Sequence, residues 1–156
     1  MASILDVAKN FTVENAERLI KDAGYIPEEK LAWCPIGCAK TAAQILAEVA
    51  GTNARIAASI RGEKSGTAAE EFAKRIEAAS TLDELGQLVI ESAGMVCQAI
   101  DAFSEADLDQ QVRMPWGAMF PLAEAIFLPA SHMNYHDGQI NYIQLLLGDD
   151  KFHWAE

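Results

Sequence analysis

The sequence predicts an all-α fold, a bundle of four long helices, on three observations. Four stretches repeat apolar residues at spacings of three and four, the period of a helix face turned toward a core. Turn-forming residues punctuate the gaps between them, and neither an internal repeat nor a low-complexity tract interrupts the pattern. With 156 residues, 51% of them hydrophobic, the chain can bury a core without a disulfide or metal staple, so one domain over residues 1–156 is expected.

The first segment covers residues 5–23, with Gly24 placed to end it, and leads into the loop GYIPEEKLAWCPIG. The second covers residues 39–60. Its Ile45, Val49, Ile56 and Ile60 recur at helical spacing, and Gly62 and Gly66 punctuate the exit. A short charged stretch, AAEEFAKRIEAA, is expected as a connecting helix. Ser80 and Thr81, with Asp83 and Glu84, then offer two overlapping capping boxes, in which each side chain accepts a backbone N–H of the other residue. The third long helix starts there, with Leu82, Leu85, Val89, Val96, Ile100 and Phe103 as its buried stripe. The loop SEADLDQQVRMPWGAMF precedes the fourth helix, expected over residues 121–147. Connections on either side of the third helix exceed what antiparallel neighbours need, which leaves room for a crossover that sets sequential helices parallel.

Composition excludes several classes of function. The 23 acidic residues against 12 basic ones give a net charge of -11, and Lys and Arg are scattered rather than gathered on one stretch. Phosphate backbones and anionic lipid repel such a chain, so no nucleic acid and no membrane is expected as a partner. No apolar run approaches the roughly 18 residues of a membrane span, and MASILDVAKN lacks a basic-then-apolar leader. The three cysteines, Cys34, Cys38 and Cys97, are an odd and sparse set that suits free thiols in a reducing compartment. A cytoplasmic location follows as an expectation. Neither a glycine-rich phosphate loop after a strand nor a serine elbow is present.

The fourth helix carries most of the chemistry. Leu122, Ile126, Pro129, Met133, His136, Ile140, Ile143 and Leu147 form its seam, which makes His136 a core position. His132 lies one turn earlier on the same face, so both imidazoles can reach one ion. The other reading makes His136 a hydrogen-bonded core histidine and His132 a surface one. On the second helix, Thr41, Gln44, Glu48, Thr52 and Arg55 form a polar strip beside the apolar stripe. Glu48 there borders the core, where a carboxylate needs a cation to stay ionised; otherwise it reaches out to solvent along its aliphatic stem.

The segment SHMNYHDGQINYIQLLLG resembles the C-terminal helix of the DinB-like superfamily, in which a His-x-x-x-His-x-Gly-Gln pattern supplies two of three metal ligands. IPEEKLAWCPIGCAKTAAQILAEVAGTNARI resembles that family's first loop and second helix, including Pro27, Leu31, Trp33 and Pro35. The resemblance implies a four-helix bundle in an up-down-down-up arrangement, commonly a homodimer, with a metal pocket at one end between the second and fourth helices. It also implies a third ligand from the second helix. Most members carry histidine there and this chain has Glu48, which gives the set Glu48, His132 and His136 for a divalent ion. Two histidines and a carboxylate suit zinc or nickel, and also iron or manganese. If the alignment slips by a turn, Gln44 or Thr52 faces the site instead.

Around that set, Gln139 is placed to hydrogen-bond a ligand or a bound water, and Gly138 to admit a neighbouring helix. Arg55 is a candidate for an anionic substrate or for an ordinary acid pair. Tyr135, Tyr142, Trp33 and Trp116 are candidates for the entrance or for plain packing. Cys34 and Cys38 enclose three residues and make a rival zinc pair of poor spacing, Cys97 reads as a buried small side chain, and His153 reads as solvated. Family resemblance implies a metal-dependent transferase of a low-molecular-weight thiol, acting on a small electrophilic substrate. The alternative is a non-catalytic stress-response or ligand-binding bundle whose ion is structural or absent. Trp33, Trp116, Phe152 and Trp154, if exposed, would offer an apolar patch for a twofold dimer.

Overall fold

The computed structural model describes residues 2–63, 67–151 and 153. Its elements run α1 (Ile4–Ala23), α2 (Ala42–Ile60), α3 (Thr67–Ala78), α4 (Leu82–Ile100), β1 (Gln111–Arg113), β2 (Met119–Pro121), α5 (Leu122–Ala125) and α6 (Leu128–Leu146). Three of the long helices begin at a capping box. Ser3 with Asp6, Thr41 with Gln44 and Thr81 with Glu84 each close the reciprocal pair of bonds that satisfies free N–H groups in the first turn. The α2 start therefore falls at Ala42, three residues later than the spacing alone suggests, because Thr41 is the cap. Of the two boxes expected near Ser80, one forms. Glu84 serves both residues, accepting from the Ser80 and Thr81 N–H groups at 2.9 and 3.1 Å.

Cross-helix contacts define the arrangement. Lys9 reaches Asp101 (2.7 Å) at one end of the α1 and α4 pair, while Ile20 packs on Gly86 at the other, so these two are antiparallel. Arg18 with Asp137 (3.2 Å) and Asn141 with Asp22 (3.2 Å) run in step, so α1 and α6 are parallel. Asn53 meets Met133 (3.5 Å) and Glu48 meets His136 (3.8 Å), which makes α2 and α6 antiparallel. Asn53 meets Ser92 (3.4 Å) and Arg61 meets the Met95 carbonyl (3.4 Å), which makes α2 and α4 parallel. The order is up-down-down-up, with α3 as the connecting helix that lets α2 and α4 point the same way.

Two apolar clusters fill the bundle. One gathers Leu19, Ile45, Val49, Leu85, Val89, Met133 and Ile140; the other gathers Ile56, Ile60, Val96, Ile100, Leu122 and Ile126. Along α1 and α2 a buried polar residue falls between the two, Thr12 and Asn53, and Asn53 meets the buried Ser92 of α4. The predicted stripes are buried as expected on α2, with Leu82, Phe103 and Leu147 only partly covered at the ends of theirs.

Two features depart from the expected pattern. Residues 111–121 form a small antiparallel hairpin, pairing Val112 with Phe120, and its Val112 and Met114 seal the second cluster. The fourth long helix is broken into α5 and α6. Pro129 has no N–H and its ring crowds the carbonyl four residues back, so it is tolerated in the first turn of a new helix and not inside a continuous one. Gly24 follows α1 in an ordinary right-handed conformation (φ -64°), whereas Gly62 after α2 takes φ +67°, the left-handed geometry that glycine adopts at least cost. Gly66, Phe152 and Trp154 lie outside the described residues. Among the described residues no helix is long and apolar enough to cross a membrane.

Candidate metal centre

The seam between α2 and α6 brings three donors together. Glu48 lies in the second turn of α2 after the Thr41 cap, half-buried, and faces the middle of α6. His132 and His136, one helical turn apart, present their rings nearly perpendicular, at an interplanar angle of 87° with centroids 4.4 Å apart. Their Nε2 atoms are 3.0 Å apart, and the Glu48 carboxylate lies 3.8 Å from His136 Nε2. One donor atom from each of the three residues falls within 4.8 Å of the others. His136 is 2% exposed, so its ring belongs to the core as the seam predicts.

Gln139 sets the tautomer. Its side-chain carbonyl accepts from His136 Nδ1 at 2.7 Å, and its amide donates to the Tyr135 hydroxyl at 3.2 Å. With Nδ1 carrying the proton, His136 Nε2 offers a lone pair toward His132 and Glu48. His132 Nε2 then donates across the 3.0 Å gap, and its Nδ1 is left buried with no hydrogen-bond partner among the described residues. A buried nitrogen in that state is costly, because nothing replaces the water it lost.

The electrostatics point the same way. Burial, and next the adjacent His136, push His132 down to about 4, so its ring is neutral at physiological pH. Burial works against the charge of Glu48, but the Lys40 ammonium hydrogen-bonded to it, with the histidines and the charge on Lys40 adding to the effect, holds its carboxyl below the usual range. Sequence reasoning missed Lys40, which sits one residue before the α2 cap and folds back onto the helix it precedes. Two imidazoles and an ionised carboxylate are a donor set for a divalent cation. Two nitrogens on one tetrahedral ion stand roughly 3.3 Å apart, close to the spacing already present, so the residues fit the ion.

The other anticipated residues fall around this core or away from it. Gln44 is used at the helix start, its Oε1 accepting the Thr41 N–H at 3.0 Å, and it also borders an open cleft beside Glu48. Arg55 is exposed, donates to Thr52 Oγ1 at 3.0 Å and joins no ion pair among the described residues. Tyr135 is exposed beside His136, their ring centroids 5.2 Å apart. Nothing lies within 4 Å of where a side chain at Gly138 would begin, so the close helix approach expected there does not occur. Trp33 packs on the first apolar cluster while Trp116 is exposed. Cys34 and Cys38 are exposed and join no three-residue metal cluster among the described residues. His153 is buried, contrary to the solvated placement expected: it stacks on Tyr25 at 3.6 Å and bonds Asp149 at 2.9 Å.

On the other side of α6 is a polar network that the sequence reading passed over. Asp137 is buried beside Asp22 and Arg18, and Asn141 and Gln144 both donate to Asp22. Burial and the facing Asp22 raise the Asp137 carboxyl to about 6.

Several solved structures share this fold. A conserved protein from Enterococcus faecalis superposes with a TM-score of 0.75 at 11% identity, over 95% of this chain and 99% of that one. An uncharacterized protein from Clostridium difficile 630 gives 0.69 at 16% identity, over 93% and 98%. A mycothiol-dependent maleylpyruvate isomerase gives 0.64 at 15% identity, over 90% of this chain but only 63% of the isomerase. At these identities the likeness is one of fold. No curated protein sequence matches. The family profile described as the DinB superfamily matches residues 12–140, most of the chain and including both histidines and the glutamate; this protein belongs to the DinB superfamily.

Proposed function

We propose that this DinB-superfamily protein binds a divalent metal through Glu48, His132 and His136 and uses it to transfer a low-molecular-weight thiol to a small electrophilic substrate. The observation that carries the reading is the convergence of two Nε2 atoms, 3.0 Å apart, on a carboxylate from a different helix. A divalent ion, zinc or nickel first and iron or manganese next, would be held by Glu48, His132 and His136 and would supply the Lewis acidity that activates a thiol or water. The thiol part of the proposal draws on the mycothiol-dependent isomerase that shares the fold.

Each residue has a defined task in this scheme. Gln139 holds His136 in the tautomer that binds through Nε2. Low basicity keeps the His132 ring neutral and ready as a donor. Glu48 brings the one negative charge, and Lys40, its present partner, has to leave the carboxylate when the ion enters. Tyr135 stands at the exposed edge, joined to the histidines through Gln139, where its hydroxyl can meet a substrate. Arg55, exposed about two turns further along α2, supplies positive charge for an anionic group.

The Lys40 contact also favours a second reading, in which the bundle is a non-catalytic ligand-binding or stress-response module with a structural ion or none, since the ammonium already balances Glu48. Elemental analysis of untagged protein, paired with a His132→Ala, His136→Ala variant, separates the two. Activation predicts about one ion per chain, lost in the variant together with metal-stimulated conjugation of small thiols to a panel of electrophiles. Absence of any bound ion overturns the metal assignment. An ion whose removal unfolds the protein, without any thiol chemistry, supports the second reading. A homodimer is part of the proposal as well: Tyr142, Leu145 and Leu146 are exposed on α6, and light scattering on the purified chain tests for their burial between two copies.

A further inference from the structure

The turn that leads into α2 carries two exposed thiols, Cys34 and Cys38, on the wall of an open cleft of about 600 Å³ that also borders Lys40 and Glu48. The turn is tightly made. Gly37 adopts φ +57°, the Ala39 N–H closes on the Ile36 carbonyl at 3.1 Å, and Ala43 of α2 donates to the Leu31 carbonyl at 3.0 Å, tying the loop to the helix start. This closure folds Cys34 over the backbone of its partner. Its Sγ lies 3.3 Å from the Ala39 carbonyl and 3.9 Å from the Gly37 carbonyl, the two groups that flank Cys38. A disulfide needs Cα atoms within roughly 4.4–6.8 Å, and the Cys34 sulfur already lies against the backbone on both sides of Cys38.

We propose that Cys34 and Cys38 form a reversible dithiol that reduces low-molecular-weight disulfides entering this cleft. Cys34 is turned onto the backbone of the loop, so Cys38 makes the first attack. The Cys38 thiolate, its proton released to solvent, attacks one sulfur of the disulfide RSSR, forming a Cys38–SR bond while the original S–S bond breaks and RS⁻ leaves. The Cys34 thiolate, its proton likewise lost to solvent, then attacks the Cys38 sulfur, forming the Cys34–Cys38 disulfide and expelling the second RS⁻. The small disulfide gains two electrons and two protons to become two thiols, and the protein dithiol loses them. This assignment requires no metal. It places on one wall of the cleft a chemistry that acts on the same class of small thiols as the ion-dependent reading places beside Glu48.

The third cysteine is an internal control. Cys97 is partly buried on α4, its sulfur 3.8 Å from the Lys9 carbonyl, and burial pushes its thiol above the usual range. The test treats the full native chain with hydroxyethyl disulfide in the presence of a chelator, then digests it with trypsin. Cleavage after Lys30 and Lys40 isolates residues 31–40, which hold both thiols, while Cys97 falls in residues 76–113. The expected result is loss of two hydrogens from fragment 31–40, release of mercaptoethanol, and modification of Cys97 at least roughly tenfold slower. A Cys34→Ser variant is expected to stop at the mixed disulfide on Cys38. Hydroxyethyl adducts on both sulfurs of fragment 31–40 without an internal disulfide, or Cys97 reacting as fast as Cys38, would overturn the assignment. Because the chelator is present throughout, a negative outcome here leaves the metal reading standing, and a metal-free protein leaves this one standing.

Discussion

His136 and Asp137 are neighbours in sequence, yet they serve two different seams of the same helix. Toward α2, His136 meets His132 and Glu48 in a group whose lone pairs converge and whose nearest positive charge, Lys40, comes from a flanking loop. Toward α1, Asp137 meets Arg18 and Asp22, with Asn141 and Gln144 closing the set. Both seams bury ionisable groups, and each leaves one buried polar atom without a hydrogen-bond partner among the described residues, Asp137 Oδ1 toward α1 and His132 Nδ1 toward α2. The α1 seam holds an ion pair and amide donors, and burial with the facing Asp22 raises the Asp137 carboxyl to about 6. The α2 seam instead brings one donor atom from each of Glu48, His132 and His136 within 4.8 Å of the others. Buried polarity alone therefore does not mark a functional site; what marks it is donor atoms that converge on one point.

Four measurements can break or sharpen that contrast. The largest effect is expected for His132→Ala with His136→Ala, which should lower affinity for a divalent ion by roughly a thousandfold or more in chelator competition, whereas Asp137→Asn should change it less than about threefold. Equal losses would mean that the two seams act as one. Glu48→Gln should cost about a hundredfold, because the amide keeps the shape but removes the charge, and Glu48→His should restore most of it. A smaller loss, on the order of tenfold, is expected for Gln139→Leu, which frees the His136 ring to take the other tautomer.

The smallest effect is the pH dependence of the apoprotein, read by urea unfolding in chelator. The folded-state pKa of His132 is depressed to about 4, so the unfolded chain binds the proton more readily. Its contribution to stability is present above about 6.5 and is lost as pH falls toward 4, and His132→Gln should remove about 1–2 kcal/mol of that acid-side loss. Asp137 has the opposite sign. Its carboxyl is raised to about 6, so the fold holds that proton more tightly than the unfolded chain does, and the penalty at neutral pH fades as pH falls through 6. Asp137→Asn should therefore gain on the wild type near pH 7.5 by about 1–2 kcal/mol, a gain that shrinks as pH falls through 6 and disappears only below about 3.8.

Legibility in the sequence follows the range of the interaction. The long helices were readable because their spacing and caps act within four residues, and the His132 and His136 pair was readable for the same reason. Glu48 was visible as a carboxylate at the edge of an apolar stripe, with the family resemblance pointing to its position. The hairpin over residues 111–121 escaped, although Pro115 and Gly117 between two short apolar-containing runs are a turn signal, because runs of three residues carry almost no period. The break before α6 was also legible in Pro129, had the proline been weighed above the seam it sits in. His153 could not be placed, since its burial rests on Tyr25, more than a hundred residues away.

The residues by themselves determined a helical chain, its caps and two imidazoles on one face, since each of these depends on contacts within a single turn or two. Only the tertiary structure decided that α2 runs antiparallel to α6 at a rotation and height that bring Glu48 to those imidazoles, and that Lys40 folds back across its own helix start to meet the carboxylate. Rotation and height are set by how two apolar clusters pack across four helices at once. No spacing along one helix encodes that sum.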